Sequence, residues 1–425
     1  MSRSLPDEID VAVIGAGAAG IAAGRRLAEA GVGSIVLEAR DRVGGRAWTV
    51  VDRAPHPLDM GCAWLHSASR NPWTAIAEAG GFAIDRTDPA WGTQAGGTLF
   101  APGEIEAYRA ELDSFFGRLA ETAAAPGPDR PASDLVDPAG RWTPLIEAIN
   151  SYINGTSLAE TSIHDFDAYE DTEENWRLPA GYGTLVAAHA AGLPIVTGCP
   201  VTRVDHSGPR IRLETPRGTL TCRAAIVTVP TPMLASGQIA FFPALPDHQT
   251  AAAGLPLGVA DKVFLSILDP AALPAGHVFG AKDRAGTGSY HLGRFGWPIV
   301  EAYFGGPFAR DLERAGPDAA AAFALDELAG LFGADIRKVL QPVAVTAWAQ
   351  DPFAGGSYSI ALPGRAADRA RLAAPVDDRL FFAGEATHGS AYSTAHGAYW
   401  SGRRAAEEAL AAVGRDSGRP SGGGA

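Results

Sequence analysis

Cysteine is scarce in this chain. Three occur among 425 residues, Cys62, Cys199 and Cys222, with no CxxC pair and no zinc-ligand spacing. That excludes a disulfide framework and a thiolate metal site from the first reading, and no metal is expected. No apolar run reaches the ~18 residues that a membrane span needs. The opening MSRSLPDEID is short and acidic, without the basic and apolar parts of a signal peptide, so a cytoplasmic location is the default expectation. Positive charge is in deficit: 35 Lys and Arg stand against 48 Asp and Glu, a net −13. A nucleic-acid enzyme more often carries a basic field, so no nucleic-acid partner is expected. An acidic surface suits a cationic ligand or simple solubility, and charge alone does not choose. Hydrophobic residues are plentiful at 46%, enough for two cored domains and unlike a disordered chain.

The organisation begins with EIDVAVIGAGAAGIAAGRRLAEAG. Val11 to Ile14 reads as a buried parallel strand, the Ala-rich stretch as a helix, and Ser34 to Ala39 as a second strand. This is a β-α-β unit. Residues 102–123 have helical rhythm, and WTPLIEAINSYINGTSL starts another helix, broken at Asn154 and Gly155. Strands are expected in LPIVTGCPVTRVDH, in GTLTCRAAIVTVP with Ala225 to Val229 as its buried part, and from Gly258 to Leu268. Helical patterns cover 307–332 and 336–340 with a break near Gly333. A strand ends at Phe381 or Phe382, and a last long helix follows Ser393. The Gly- and Ser-rich tail 416–425 is expected to be disordered.

Gly15, Gly17 and Gly20 spell GxGxxG. The first allows the tight turn, the second removes a side chain from the path of a pyrophosphate, and the third lets helix and strand pack closely. The helix N-terminus then faces the phosphates. Glu38, ending the second strand, has a carboxylate able to accept both hydroxyls of an adenosine ribose. In this context the motif points to a dinucleotide. Gly44 and Gly45 follow, with Arg46 able to neutralise pyrophosphate.

From Glu38 through Ala39, Arg42, Gly44, Gly45 and Arg46 the chain resembles the flavin-containing amine oxidases, and GEAT from Gly384 to Thr387 is similar to their late G-E-x-T motif. The resemblance implies FAD as cofactor, with Glu385 at its ribityl and pyrophosphate end and Thr394 and Ala395 near the isoalloxazine carbonyls. It also implies Val201 at the adenine. It implies that Lys262 holds a water near flavin N5, the alternative being an edge-strand lysine. Tyr358 and Tyr392 match the two walls of an aromatic cage that attracts an amine, and Trp348 matches a buttress of cage or flavin. Ser357 stands where the monoamine oxidases attach their flavin through cysteine, so the resemblance implies non-covalent FAD.

GCAWLHSASRNPW resembles the corresponding region of the polyamine oxidases. It implies Trp64 near the flavin side and His66 facing the substrate channel, where a neutral histidine near its usual pKa can share a proton with an amine. The alternative for His66 is a structural hydrogen bond in a turn. The family usually has a glycine after this histidine; here it is Ser67. The acidic run from Asp165 to Glu174 is either a solvated face or a receptor for a distal ammonium, with Glu170 and Glu174 one turn apart if helical. Arg177 and Arg294 are candidates for a substrate carboxylate but sit in no motif.

The expected fold is α/β: a Rossmann-type FAD domain from 1–75, 175–255 and 350–415, and a mixed-sheet and helical substrate domain from 76–174 and 256–349. The resemblance implies oxidation of an amine, a polyamine or related aliphatic amine first, to an imine that hydrolyses to an aldehyde, with oxygen reduced to hydrogen peroxide. Monoamine or L-amino-acid oxidation is the alternative. From another class, the alternative is an FAD-holding redox-sensing or interaction protein.

Overall fold

The computed structural model describes residues 5–51, 53–92, 94–97 and 99–417. The chain divides into two compact units. Unit 1 lies within residues 1–48, 183–255 and 367–425, and unit 2 within 49–182 and 256–366. The stretches 49–75 and 350–366, read from sequence with the nucleotide domain, fall in unit 2 by this division, as do 175–182.

Unit 1 is built on β1 (Glu8–Ile14), α1 (Ala18–Glu29), β2 (Ser34–Leu37) and β3 (Gly218–Val227). β1 pairs in parallel with both β2 and β3. Val11 to Val13 are fully buried because α1 and other segments cover the sheet, which is why the strand is apolar without alternation. β3 starts at Gly218, as the strand read in GTLTCRAAIVTVP does, and ends at Val227, two residues before the expected Val229. Its first half forms a hairpin with Ile211–Thr215 and its last residues pair with Leu380–Phe382. The helix Ala395–Ser417 lies against α1 so closely that a Cβ on Gly402 would stand 2.1 Å from the Ala19 carbonyl oxygen. That helix includes 416 and 417, which the sequence assigned to a disordered tail; 418–425 lie outside the described residues.

Unit 2 holds an antiparallel sheet of β4 (Ala260–Ile267), β5 (Gly276–Phe279), β6 (Ser289–Leu292), β7 (Ile299–Gly305) and β8 (Leu340–Val345). The order is β5-β6-β7-β4-β8. The two faces of this sheet have opposite chemistry. On one, Val263, Leu265, Val278, Tyr290, Val300 and Phe304 form a core with Ala320, Ala324 and Leu328 of a helix. On the other, register aligns His277 with His291, His291 with Glu301, and Glu301 with Phe264; one pair further along, Ser289 aligns with Tyr303 and Tyr303 with Lys262. Period-2 alternation sends these residues to the face opposite the apolar core. This polar face is not solvated: Lys262 is 4% exposed, Glu301 7% and His277 1%.

Further details differ from the sequence reading, among them the helical pattern over 336–340, which is a 3-10 turn, Ala334–Lys338, followed by β8. The helical pattern over 307–332 is two helices, α2 (Gly306–Ala315) and α3 (Pro317–Phe332), separated at Gly316, whose φ of +95° and following proline end the first. The strand expected from Gly258 to Leu268 is interrupted at Val259, which binds Gly155 through its N–H and Gly306 through its carbonyl. The helix Thr143–Asn154 ends as read, with Gly155 at φ +67°.

Candidate active site

The nucleotide half lies in unit 1. Gly15 has φ +104°, and a Cβ on Gly20 would meet the Gly15 carbonyl oxygen at 1.9 Å, so helix and turn are in contact. A Cβ on Gly17 would meet nothing within 4 Å. α1 starts there with no capping side chain and no acidic residue in its first turn. Its first N–H groups are therefore left to an anion. Gly44 donates its N–H to the Ala16 carbonyl at 2.8 Å, and Gly45, at φ +58°, lies close above Gly17. Glu38 follows β2 and is buried; it accepts from Ala16 N at 2.7 Å and Arg40 N at 2.9 Å. Arg46 and Glu385 form an ion pair at 2.8 Å, and the second Glu385 oxygen accepts from Ser393 N. Both line a small cavity with Val229, Thr231 and Gly384. Val201 is buried between the strands Ile195–Val196 and Arg203–Asp205. Thr394 accepts from Gly397 N in the first turn of the helix that Ala395 opens. An open helix start, a bare glycine at its tip, an acid at the second strand end and an arginine–glutamate pair fit the pyrophosphate and ribose of FAD. Tyr392 is also in this unit, with the Arg369 guanidinium 3.7 Å from its ring centroid.

The second half is the polar face of the unit 2 sheet. β4 lies between β7 and β8, so Lys262 is on an interior strand and the edge-strand alternative is excluded. Its Nζ donates to the Asp59 carbonyl at 2.8 Å and pairs with Glu301 Oε1 at 2.8 Å. The other Glu301 oxygen accepts from Arg177 Nη2 at 2.6 Å. Burial alone would raise the Glu301 pKa; Arg177 and then Lys262 outweigh it and hold the carboxyl well below its usual range. Glu301 is thus a buried carboxylate bridging two cations, the geometry that such a charge requires. Sequence reasoning missed it, although Glu301 and Tyr303 alternate with apolar residues in IVEAYFG.

Tyr358 is half-buried, donates to the Tyr152 carbonyl at 2.6 Å, and lies 3.1 Å from the Tyr303 hydroxyl. Tyr303 is the ladder partner of Lys262, so the expected lysine and one expected cage tyrosine share a neighbourhood. Ser357 clamps Ala260 through both its N–H and its carbonyl, which fixes this segment to the start of β4. Trp348 is buried, with Nε1 donating to the Met60 carbonyl at 2.9 Å and its backbone N–H bound to Asp261.

Trp64 stands on the short ladder that pairs it with Arg177. Two guanidinium carbons lie near its ring, Arg177 at 4.6 Å and Arg294 at 4.3 Å, and Trp91 packs at 4.9 Å. His66 Nδ1 is 2.6 Å from Asn175 Oδ1. The Asn175 amide donates to the Glu173 carbonyl, so its oxygen faces His66 and Nδ1 carries the proton. Burial lowers the His66 pKa, which favours the neutral ring, and Nε2 is left as an acceptor. Ser67 has φ +49°, the region where a glycine is at ease, and its hydroxyl is held between Asp171 and Thr172 N.

The acidic run is not one helix, and most of it is solvated: Asp167, Glu170, Asp171 and Glu173 are exposed. The helix covers only Ile163–Asp167, so Glu170 and Glu174 are not one turn apart on a helix. Asp165 is buried and accepts from Ala361 N. Glu170 pairs with Arg70, Asp171 accepts from Ser67 and Glu173 N, and Glu174 accepts from Ser69 N and Thr172.

Among known proteins, residues 18–123 and 132–410 match the family model described as flavin containing amine oxidoreductase. Polyamine oxidase 2 of Arabidopsis thaliana is 29% identical over 443 residues, covering 94% of this chain and 87% of that protein. A solved structure of putrescine oxidase, wild type bound to putrescine, superposes with a TM-score of 0.77 at 20% identity over 95% of this chain and 99% of that one. Cyclohexylamine oxidase from Brevibacterium oxydans IH-35A gives 0.76 at 21% identity, over 97% and 100%. At these identities the structural likeness is one of fold.

Proposed function

The chain belongs to the flavin-containing amine oxidoreductases, and from that premise we propose that it oxidises an aliphatic amine, bound uncharged, with non-covalent FAD in unit 1 and the substrate site in unit 2. It is a flavin-dependent amine oxidase. FAD, when bound, supplies the two-electron acceptor for conversion of amine to imine and for reduction of oxygen to hydrogen peroxide. The imine hydrolyses to a carbonyl product.

The observation that carries this reading is the placement of Lys262. A buried ammonium is expensive unless partnered, and Glu301 and the Asp59 carbonyl satisfy two of its three N–H donors. The third is left for a water, the role that the family resemblance implies. Tyr358, fixed by its hydroxyl, presents its ring as one wall for the amine. Tyr392, in unit 1, has the Arg369 guanidinium over one face of its ring. Neutral His66, with Nε2 as acceptor, takes an N–H from the substrate. Trp64 supplies apolar wall.

Polyamines are the first substrates to test, on the names of the relatives. Aerobic incubation with putrescine, spermidine, benzylamine and L-amino acids, reading oxygen uptake, peroxide and carbonyl product, tests the reading. One peroxide per carbonyl group formed supports it. No turnover of any amine by folded, FAD-loaded protein overturns it in favour of an FAD-holding sensor or interaction protein.

A further inference from the structure

The charges around Trp64 do not balance. Lys262, Arg177 and Arg294 are cations in this neighbourhood of unit 2. Glu301 is shared by the first two. Asp59 directs its carboxylate to Thr49 and to the Tyr182 N–H, and burial raises its pKa. Burial also pushes His291 down to about 4, so it contributes no counter-charge of either sign at neutral pH. Among these described residues, one positive charge remains in excess even with both acids ionised.

That excess is located. Among the described residues Arg294 has no ion pair, and its Nε is buried with no hydrogen-bond partner. Arg177, 4% exposed, has the same deficiency at Nη1. Both guanidiniums lie against one indole, so their Cζ atoms are no more than about 9 Å apart. Buried donors are nearly always satisfied, and two orphaned N–H groups on neighbouring guanidiniums are vacant valences for an oxyanion. The backbone that presents Arg294 is specialised: Gly293, Phe295 and Gly296 all have φ between +55° and +73°. A phenylalanine in the left-handed region is uncommon and strained. Trp297 holds the turn by stacking on His56 with ring centroids 4.4 Å apart and planes 5° from parallel. In the acidic run, the sequence's candidate for a distal ammonium, Glu170, Asp171 and Glu174 are already engaged with Arg70, Ser67 and Ser69.

We propose that Arg294, with Arg177 beside it, is a carboxylate-binding site, and that the amine oxidised carries a carboxylate: the substrate class is an aliphatic amino acid. This rests on the amine-oxidising reading. The carboxylate stays intact. The C–H beside nitrogen and one N–H are lost with two electrons, oxygen takes two electrons and two protons to give hydrogen peroxide, and water replaces the imine nitrogen, releasing ammonia.

The test uses FAD-loaded protein and skeleton-matched pairs: L-leucine against 3-methylbutylamine, L-lysine against cadaverine, and 6-aminohexanoate against pentylamine. The expected result is kcat/KM at least about ten-fold higher for the acid of one or more pairs, with 4-methylpentanoate inhibiting competitively. Replacing Arg294 by methionine lowers that acid-to-amine ratio by about 100-fold, as expected when a polar site loses its partner, and Arg294→Lys recovers part of it. Faster turnover of the decarboxylated member of every pair, or a ratio unchanged in Arg294→Met, overturns the proposal while leaving amine oxidation standing. If no amine of either kind turns over, the amine-oxidising reading fails. Calorimetric binding of 4-methylpentanoate to the FAD-loaded protein, lost in Arg294→Met, then decides the carboxylate site, and no binding overturns it.

Discussion

Replacing Glu301 with glutamine keeps the shape of the side chain and removes the charge that holds two cations. The carboxylate accepts from Lys262 at 2.8 Å and Arg177 at 2.6 Å, in a site where all three residues are buried. Removing one member of a buried ion network leaves uncompensated charge and destabilises by about 3–5 kcal/mol, against a total stability of about 5–15 kcal/mol. The sign with pH follows from the depressed folded pKa. Glu301 stabilises fully above its unfolded pKa, and that stabilisation is lost as pH falls from there toward the folded value. The loss is about 1.4 kcal/mol per pH unit below about pH 4.3. Chemical denaturation of the FAD-loaded wild type and Glu301→Gln between about pH 7 and pH 3.5 therefore gives a large gap at neutral pH that narrows by about 1 kcal/mol at the acid end. A gap below about 1 kcal/mol at neutral pH, the value of an exposed pair, would refute the reasoning. So would one that stays constant with pH.

Lys262→Met removes the donor assigned to a water and slows reoxidation of the reduced protein by oxygen by about 100-fold, while the anaerobic half-reaction with amine changes much less; stopped-flow absorbance separates the two. Gly20→Ala places a Cβ 1.9 Å from the Gly15 carbonyl oxygen, so the purified variant loses its flavin absorbance relative to protein absorbance, or fails to fold. Gly402→Ala, 2.1 Å from the Ala19 oxygen, separates two packed helices and destabilises by about 1–3 kcal/mol, measured by denaturation. Acid precipitation releases all FAD to the supernatant, because Ser357 offers no thiol; flavin retained in the pellet contradicts non-covalent binding.

The β-α-β unit is legible because its signals are local. Gly15, Gly17 and Gly20 each answer to a backbone need within a few residues, and Glu38 follows the second strand at a fixed distance. Lys262, Tyr358 and Trp348 were accessible through resemblance, since their segments carry recognisable runs. Glu301 was not. Its meaning comes from strand register, which sets it beside His291 and Phe264 and within reach of Lys262 and Arg177, residues far away in the chain. Alternation in IVEAYFG and SYHL carried a signal, polar residues every second position in otherwise apolar strands, but which face they take is decided by α3 covering the other. Composition left two roles open for the acidic run; most of its carboxylates are exposed, and only the fold shows that Asp165 is buried against the Ala361 N–H and that Glu170, Asp171 and Glu174 tie to Arg70, Ser67 and Ser69. Gly316 followed by Pro317 breaks a pattern that hydrophobic periodicity alone reads as continuous.

The measurement closest to the central claim is anaerobic absorbance of the FAD-loaded protein on addition of aliphatic amines and amino acids. The account predicts prompt loss of the oxidised-flavin band with at least one of them, one substrate per FAD, and its return with peroxide when oxygen is admitted. An oxidised spectrum that persists with every compound, in a folded and FAD-saturated protein, contradicts it.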